Sequence, residues 1–122
     1  MVLTTNLLNL VRTSIKTYLE TQMTYGAAGT DNTTPAASDT ALGGEVFRDA
    51  IDEFDDAVTD EITASLRILT TEANGNTLAE VGWFNASTAG TLLTRNTITS
   101  IAKTNDIQLF LDTSIQITVT EA

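Results

Sequence analysis

Apolar and polar positions divide the chain into three parts. Leu7, Leu8, Val11, Ile15, Tyr18 and Leu19 recur at steps of three and four residues behind the cap candidates Thr4, Thr5 and Asn6. That spacing predicts an amphipathic helix running to Glu20, which either covers a sheet or packs on a second copy of the chain. From Met23 to Thr40 no period survives. The segment holds two Gly, the only Pro and many Thr, Asn, Asp and Ser, and predicts a long surface loop. Loops of this length in compact domains are either functional or ordered by a neighbour.

Beyond the loop the pattern is of β type. In Ile62–Thr70, Ile62, Ala64, Leu66 and Ile68 share one side of a strand, and Asn74-Gly75 predicts a tight hairpin turn into Leu78–Phe84. Val81, Trp83 and Phe84 flank Gly82, the turn formers Asn85–Gly90 follow, and Leu92 and Leu93 open a return strand. From Ile107 to Val119, Ile107, Leu109, Leu111, Ile115, Ile117 and Val119 face one way and Gln108, Asp112, Ser114, Gln116 and Thr118 the other. Phe110 is the exception to that alternation. The pattern predicts one half-buried strand, or two broken near Asp112–Ser114. Glu45–Glu61 fits two periods. Phe47, Ile51, Phe54 and Val58 share a helical face, yet Glu45–Phe54 also reads as a strand pairing with the next run across Asp55-Asp56.

The expected architecture is mainly β, an antiparallel β-sandwich with an N-terminal amphipathic helix and a long surface loop. Its parts are a helical arm (1–22), the loop (23–44) and the sandwich domain (45–122). At 122 residues the chain is one domain with room for a single core.

Composition narrows the chemistry. Cys and His are both absent, which removes disulfides, the usual zinc ligand sets and thiol or imidazole catalysis. Six basic against sixteen acidic residues, a net charge of -10, argue against a phosphate-binding surface and hence against nucleic acid as partner. The acidic surface suits high salt, where self-repulsion is screened, and points to a halophilic source. No apolar run is long enough to span a bilayer and no signal-peptide pattern opens the chain.

The carboxylates from Asp49 to Glu61 lack EF-hand order and read as a solvated face. Trp83 beside Glu80 is the one neighbourhood suggestive of sugar chemistry. Arg48, Arg67 and Arg95 are rare cations that pair with carboxylates within the chain or between subunits. No catalytic residue, cofactor or metal site is expected. The residues expected to form an assembly interface are Leu7, Leu8, Val11, Ile15, Tyr18, Leu19, Trp83 and Arg95.

Three stretches taken together resemble a family of small tail-fibre or baseplate-type virion proteins of tailed phages and tailed archaeal viruses. The first is the Gly/Thr/Pro-rich loop closing on Ser38–Leu42 with Glu45 and Arg48 after it. The second is Glu80–Ala86 with Gly90–Arg95. The third is Ile101–Thr104 before the alternating C-terminal strand. The resemblance implies a mostly β, sandwich-like fold, no catalysis and a symmetric homo-oligomer on the virion, contacting other virion proteins. It also favours the strand reading of Glu45–Phe54. Longer members continue past the sandwich, so an adaptor, collar or fibre-base role in the tail or baseplate is expected. The alternatives are a capsid turret or decoration protein, and a carbohydrate-binding host-recognition module using Trp83.

Overall fold

The computed structural model describes residues 1–120. Helix α1 (Thr5–Gln22) is followed by seven strands: β1 (Tyr25–Gly29), β2 (Glu45–Ala50), β3 (Glu53–Asp55), β4 (Glu61–Ile68), β5 (Thr77–Phe84), β6 (Leu92–Ala102) and β7 (Leu109–Gln116). They form two antiparallel sheets, ordered β2-β1-β5-β6 and β3-β4-β7. The sheets face each other across one core, with Ala28, Leu78 and Trp83 from the first meeting Ala64, Leu66 and Ile68 from the second. This is the mainly β, sandwich-like architecture with an N-terminal helix that the pattern predicts.

α1 starts where expected, with the Thr4 hydroxyl accepting the Leu7 amide at 3.3 Å. β5 and β6 form the expected hairpin around Asn85–Gly90. β7 is one continuous strand paired with β4 from Leu109 to Gln116.

Three sequence expectations are corrected. The segment 23–44 is not loop throughout, because Tyr25–Gly29 forms β1, a strand inside the four-stranded sheet between β2 and β5. The strand packs closely on the facing sheet: a Cβ on Gly26 would lie 3.0 Å from the Leu66 side chain, which would have to shift to admit it. Asn74-Gly75 does turn sharply, with Ala73 and Gly75 at positive φ. It does not close a hairpin, however, since β4 and β5 lie in different sheets and the turn carries the chain across the sandwich. Glu45–Phe54 is extended but splits at Ile51-Asp52. β2 pairs with β1, and only β3 pairs with the following run, Glu53–Asp55 against Thr63–Ser65.

The rest of the loop, from Thr30 to Gly44, lies over the outer face of the four-stranded sheet. Leu42 packs there with Ala27 and Phe84, joined by Tyr25 and Leu92. Gly82 admits this contact, because a Cβ on it would lie 2.7 Å from Leu42 Cδ2. Loop, four-stranded sheet and three-stranded sheet thus make three layers.

Candidate assembly surface

α1 presents its apolar stripe to solvent. Leu7, Leu10, Val11, Ile15 and Tyr18 are all exposed, Tyr18 to 65%. The side turned inward is the cationic one. At about 100° per residue, Lys16 lies opposite Leu7, and it is buried, its ammonium donating to the carbonyls of Asp56 at 2.8 Å and Val58 at 2.9 Å. The Arg12 guanidinium donates to the Val119 carbonyl at 3.1 Å. Long cationic stems serve as anchors in this way because the aliphatic carbons pack while the head group saturates orphan carbonyls. Leu8 and Leu19 are half-buried on the same inward side, and Leu19 packs against the main core.

At the foot of the helix, burial together with the neighbouring Asp56 carboxylate pushes the Glu20 carboxyl up, against a smaller opposing pull from Lys16.

The other two expected interface residues lie elsewhere, and both are corrected. Trp83 is completely buried between the sheets, so its ring offers no surface to a second subunit or a sugar. Period-two alternation explains this, since Trp83 faces the inter-sheet core and Phe84 the loop layer. The side chain of Arg95 is only 5% exposed and is used inside the chain. Its Nε donates to Glu80 Oε1 at 2.9 Å, and its terminal nitrogens reach Asp39 at 3.1 Å and Asp31 at 3.4 Å.

Glu80 is the centre of this cluster and has no exposed surface. Besides Arg95 it accepts the backbone amides of Asp31 at 3.0 Å, Gly43 at 3.0 Å and Gly44 at 2.8 Å. One buried carboxylate therefore clamps both ends of the loop, and the guanidinium beside it holds the loop's middle through Asp39. The Thr33 hydroxyl and amide, with a smaller contribution from Arg95, hold the Asp31 carboxyl below its usual range. Glu80 and Asp39 in turn push the Arg95 guanidinium up.

Arg48 plays a parallel role at the hairpin. It sits 3.6 Å over the Phe84 ring and donates to the carbonyls of Ala86 and Ala89 as well as to Glu45. Neither the Glu80 clamp nor the Lys16 anchor follows from the pattern of the sequence. Glu80, inside an otherwise apolar strand, was the available signal for the first.

No helix among the described residues is long and apolar enough to cross a membrane. No protein-family model matches the chain, and no curated protein matches it.

Proposed function

We propose that this chain is a non-catalytic structural subunit that acts by homo-oligomeric assembly through α1, as a component of the tail or baseplate of a tailed virus. One observation carries the reading: an uncharged apolar stripe of five residues on a helix whose opposite face is fastened to the body. An isolated helix of this length is marginal in water and draws most of its stability from packing its apolar face. The stripe supplies such a face, and a symmetric neighbour presenting the same one would bury both. With no charge on the stripe, identical copies meet without direct repulsion there despite a net charge of -10. Multimolar salt would suppress the repulsion between the acidic bodies, in keeping with a halophilic setting. The resemblance of the loop, hairpin and C-terminal strand to small tail-fibre and baseplate proteins supports the virion location.

Sedimentation analysis in low and multimolar salt tests this. A discrete oligomer in high salt, reduced to monomer by Val11→Asp with Tyr18→Asp while the circular dichroism spectrum is kept, is the expected result. Threefold or sixfold copy number would favour the tail, and fivefold a capsid turret. A wild-type chain that stays monomeric at every salt concentration would overturn the assembly reading.

A further inference from the structure

We infer that the outer face of the three-stranded sheet carries a shallow binding site for a neutral sugar ring, centred on Phe110. This inference does not rest on the assembly reading, and the site is separate from α1. Phe110 is the residue that breaks the alternation of β7, and it stands 61% exposed on the polar side of the sheet. It lines a cleft of about 280 Å³ with Asp52, Glu53, Ser65 and Arg67. Strand register places these groups together: Phe110 lies opposite Arg67, and Glu53, Ser65 and Asp112 form the adjoining row.

The charge pattern narrows the ligand class. Of the six basic side chains, Arg12, Lys16, Arg48, Arg95 and Lys103 all donate hydrogen bonds within the chain. Arg67 differs, with its side chain 47% exposed and only a 3.7 Å approach of Nε to Asp52. Among the described residues its guanidinium makes no hydrogen bond, so the fork can donate to a ligand in the cleft that it lines. Asp52 and Asp112 are partly engaged, the first accepting the Arg67 amide and the second the Ser65 hydroxyl at 2.7 Å. Glu53 adds an exposed carboxylate at the rim.

The carboxylates of Asp52, Glu53 and Asp112 oppose an anionic ligand, and at the ring itself a cation is opposed by Arg67, which lies directly across from Phe110. A ligand with an apolar face and a rim of neutral donors and acceptors meets neither penalty. A pyranose has that form, with its C–H face on the Phe110 ring and its hydroxyls donating to carboxylates and accepting from Arg67.

The test is titration of the full chain with methyl glucoside, methyl galactoside and methyl mannoside, followed by backbone amide shifts, with tetramethylammonium chloride and sodium acetate as charged probes. Saturable shifts at Glu53, Arg67, Phe110 and Asp112 with at least one glycoside are expected. Phe110→Ala should weaken them about tenfold, and Glu53→Ala, on the exposed rim, should also weaken them. The proposal is overturned if no glycoside saturates, if Phe110→Ala binds as wild type does, or if only a charged probe saturates the same amides. Monomer and oligomer give the same readout, so failure here is distinguishable from failure of the assembly reading.

Discussion

Glu80 Oε1 and Arg95 Nε lie 2.9 Å apart in a buried ion pair that joins β5 to β6 and holds the 30–44 loop from beneath. Neutralising Glu80 leaves Arg95 only the more exposed carboxylates of Asp39 and Asp31 and weakens the three amide hydrogen bonds that the buried charge accepts. Glu80→Gln should therefore destabilise the fold by about 3 kcal/mol, measured by urea denaturation. The amides of Asp31, Gly43 and Gly44 should exchange faster with solvent in the same variant. Unchanged exchange at those three positions would mean that apolar contacts around Leu42 hold the loop instead.

Trp83 fills the space between the sheets, yet its buried indole Nε1 has no hydrogen-bond partner among the described residues. Trp83→Ala should cost about 3 to 5 kcal/mol through the cavity it leaves. Trp83→Phe should cost clearly less, because it keeps most of the ring and removes a desolvated donor. Equal losses in the two variants would show that the full indole shape, not ring burial alone, determines the packing.

Lys16 fastens α1 to the body through two carbonyls at 2.8 and 2.9 Å. Lys16→Met keeps the aliphatic stem but leaves both carbonyls without this donor, an expected cost of roughly 1.5 to 3 kcal/mol for hydrogen bonds to a charged group. Hydrogen exchange should locate the loss in α1 and the 56–58 segment and leave β4 and β5 protected. If protection instead fell throughout the sandwich, α1 would be integral to the core.

Glu20 supplies a pH dependence whose sign follows from its environment. Its carboxyl is pushed up by burial and by Asp56, so the folded chain holds this proton more firmly than the unfolded chain does. The resulting stabilisation is fully present below the unfolded carboxyl range and is lost as pH rises through the folded value. Melting temperatures of wild type and Glu20→Gln across this range test it. The variant should gain relative to wild type as pH rises towards neutral, and the difference should shrink in acid. Parallel curves would mean that Glu20 is equally solvated in both states.

The elements with strong periodicity were legible in the sequence, and those governed by tertiary contact were not. The β5–β6 hairpin and β7 carry turn chemistry and a period-two repeat that match their burial, while α1 carries a helical period whose apolar side faces solvent. β1 carries no repeat, because Tyr-Gly-Ala-Ala-Gly is selected by close approach to Leu66 and to neighbouring strands rather than by a one-sided core. Asn74-Gly75 has hairpin chemistry, but the turn is tied to the end of β6. Lys103 Nζ donates to Asn74 Oδ1 at 2.8 Å, and the Gly75 amide donates to the Lys103 carbonyl at 3.0 Å. Local propensity cannot register such a tether. In α1 the periodicity marked a helix, but of the six apolar residues expected on one stripe Leu8 and Leu19 lie on the inward side, and the exposed stripe includes Leu10 instead. Which face turns inward was decided by the carbonyls of Asp56 and Val58, far along the chain. Trp83 and Arg95 are residue types suited to an interface, and the fold uses both internally.

Turning five cations inward also changes what surrounds the molecule. Viewed from bulk water, the protein is close to a polyanion, with exposed carboxylates at Asp49, at Glu53 and along the 55–60 segment and little fixed counter-charge among them. A mobile atmosphere of small cations must supply the neutralisation that the fold withholds. Electrophoretic mobility and second virial coefficient should therefore follow the identity and concentration of that cation while the interior, closed by its own ion pairs, stays indifferent to it.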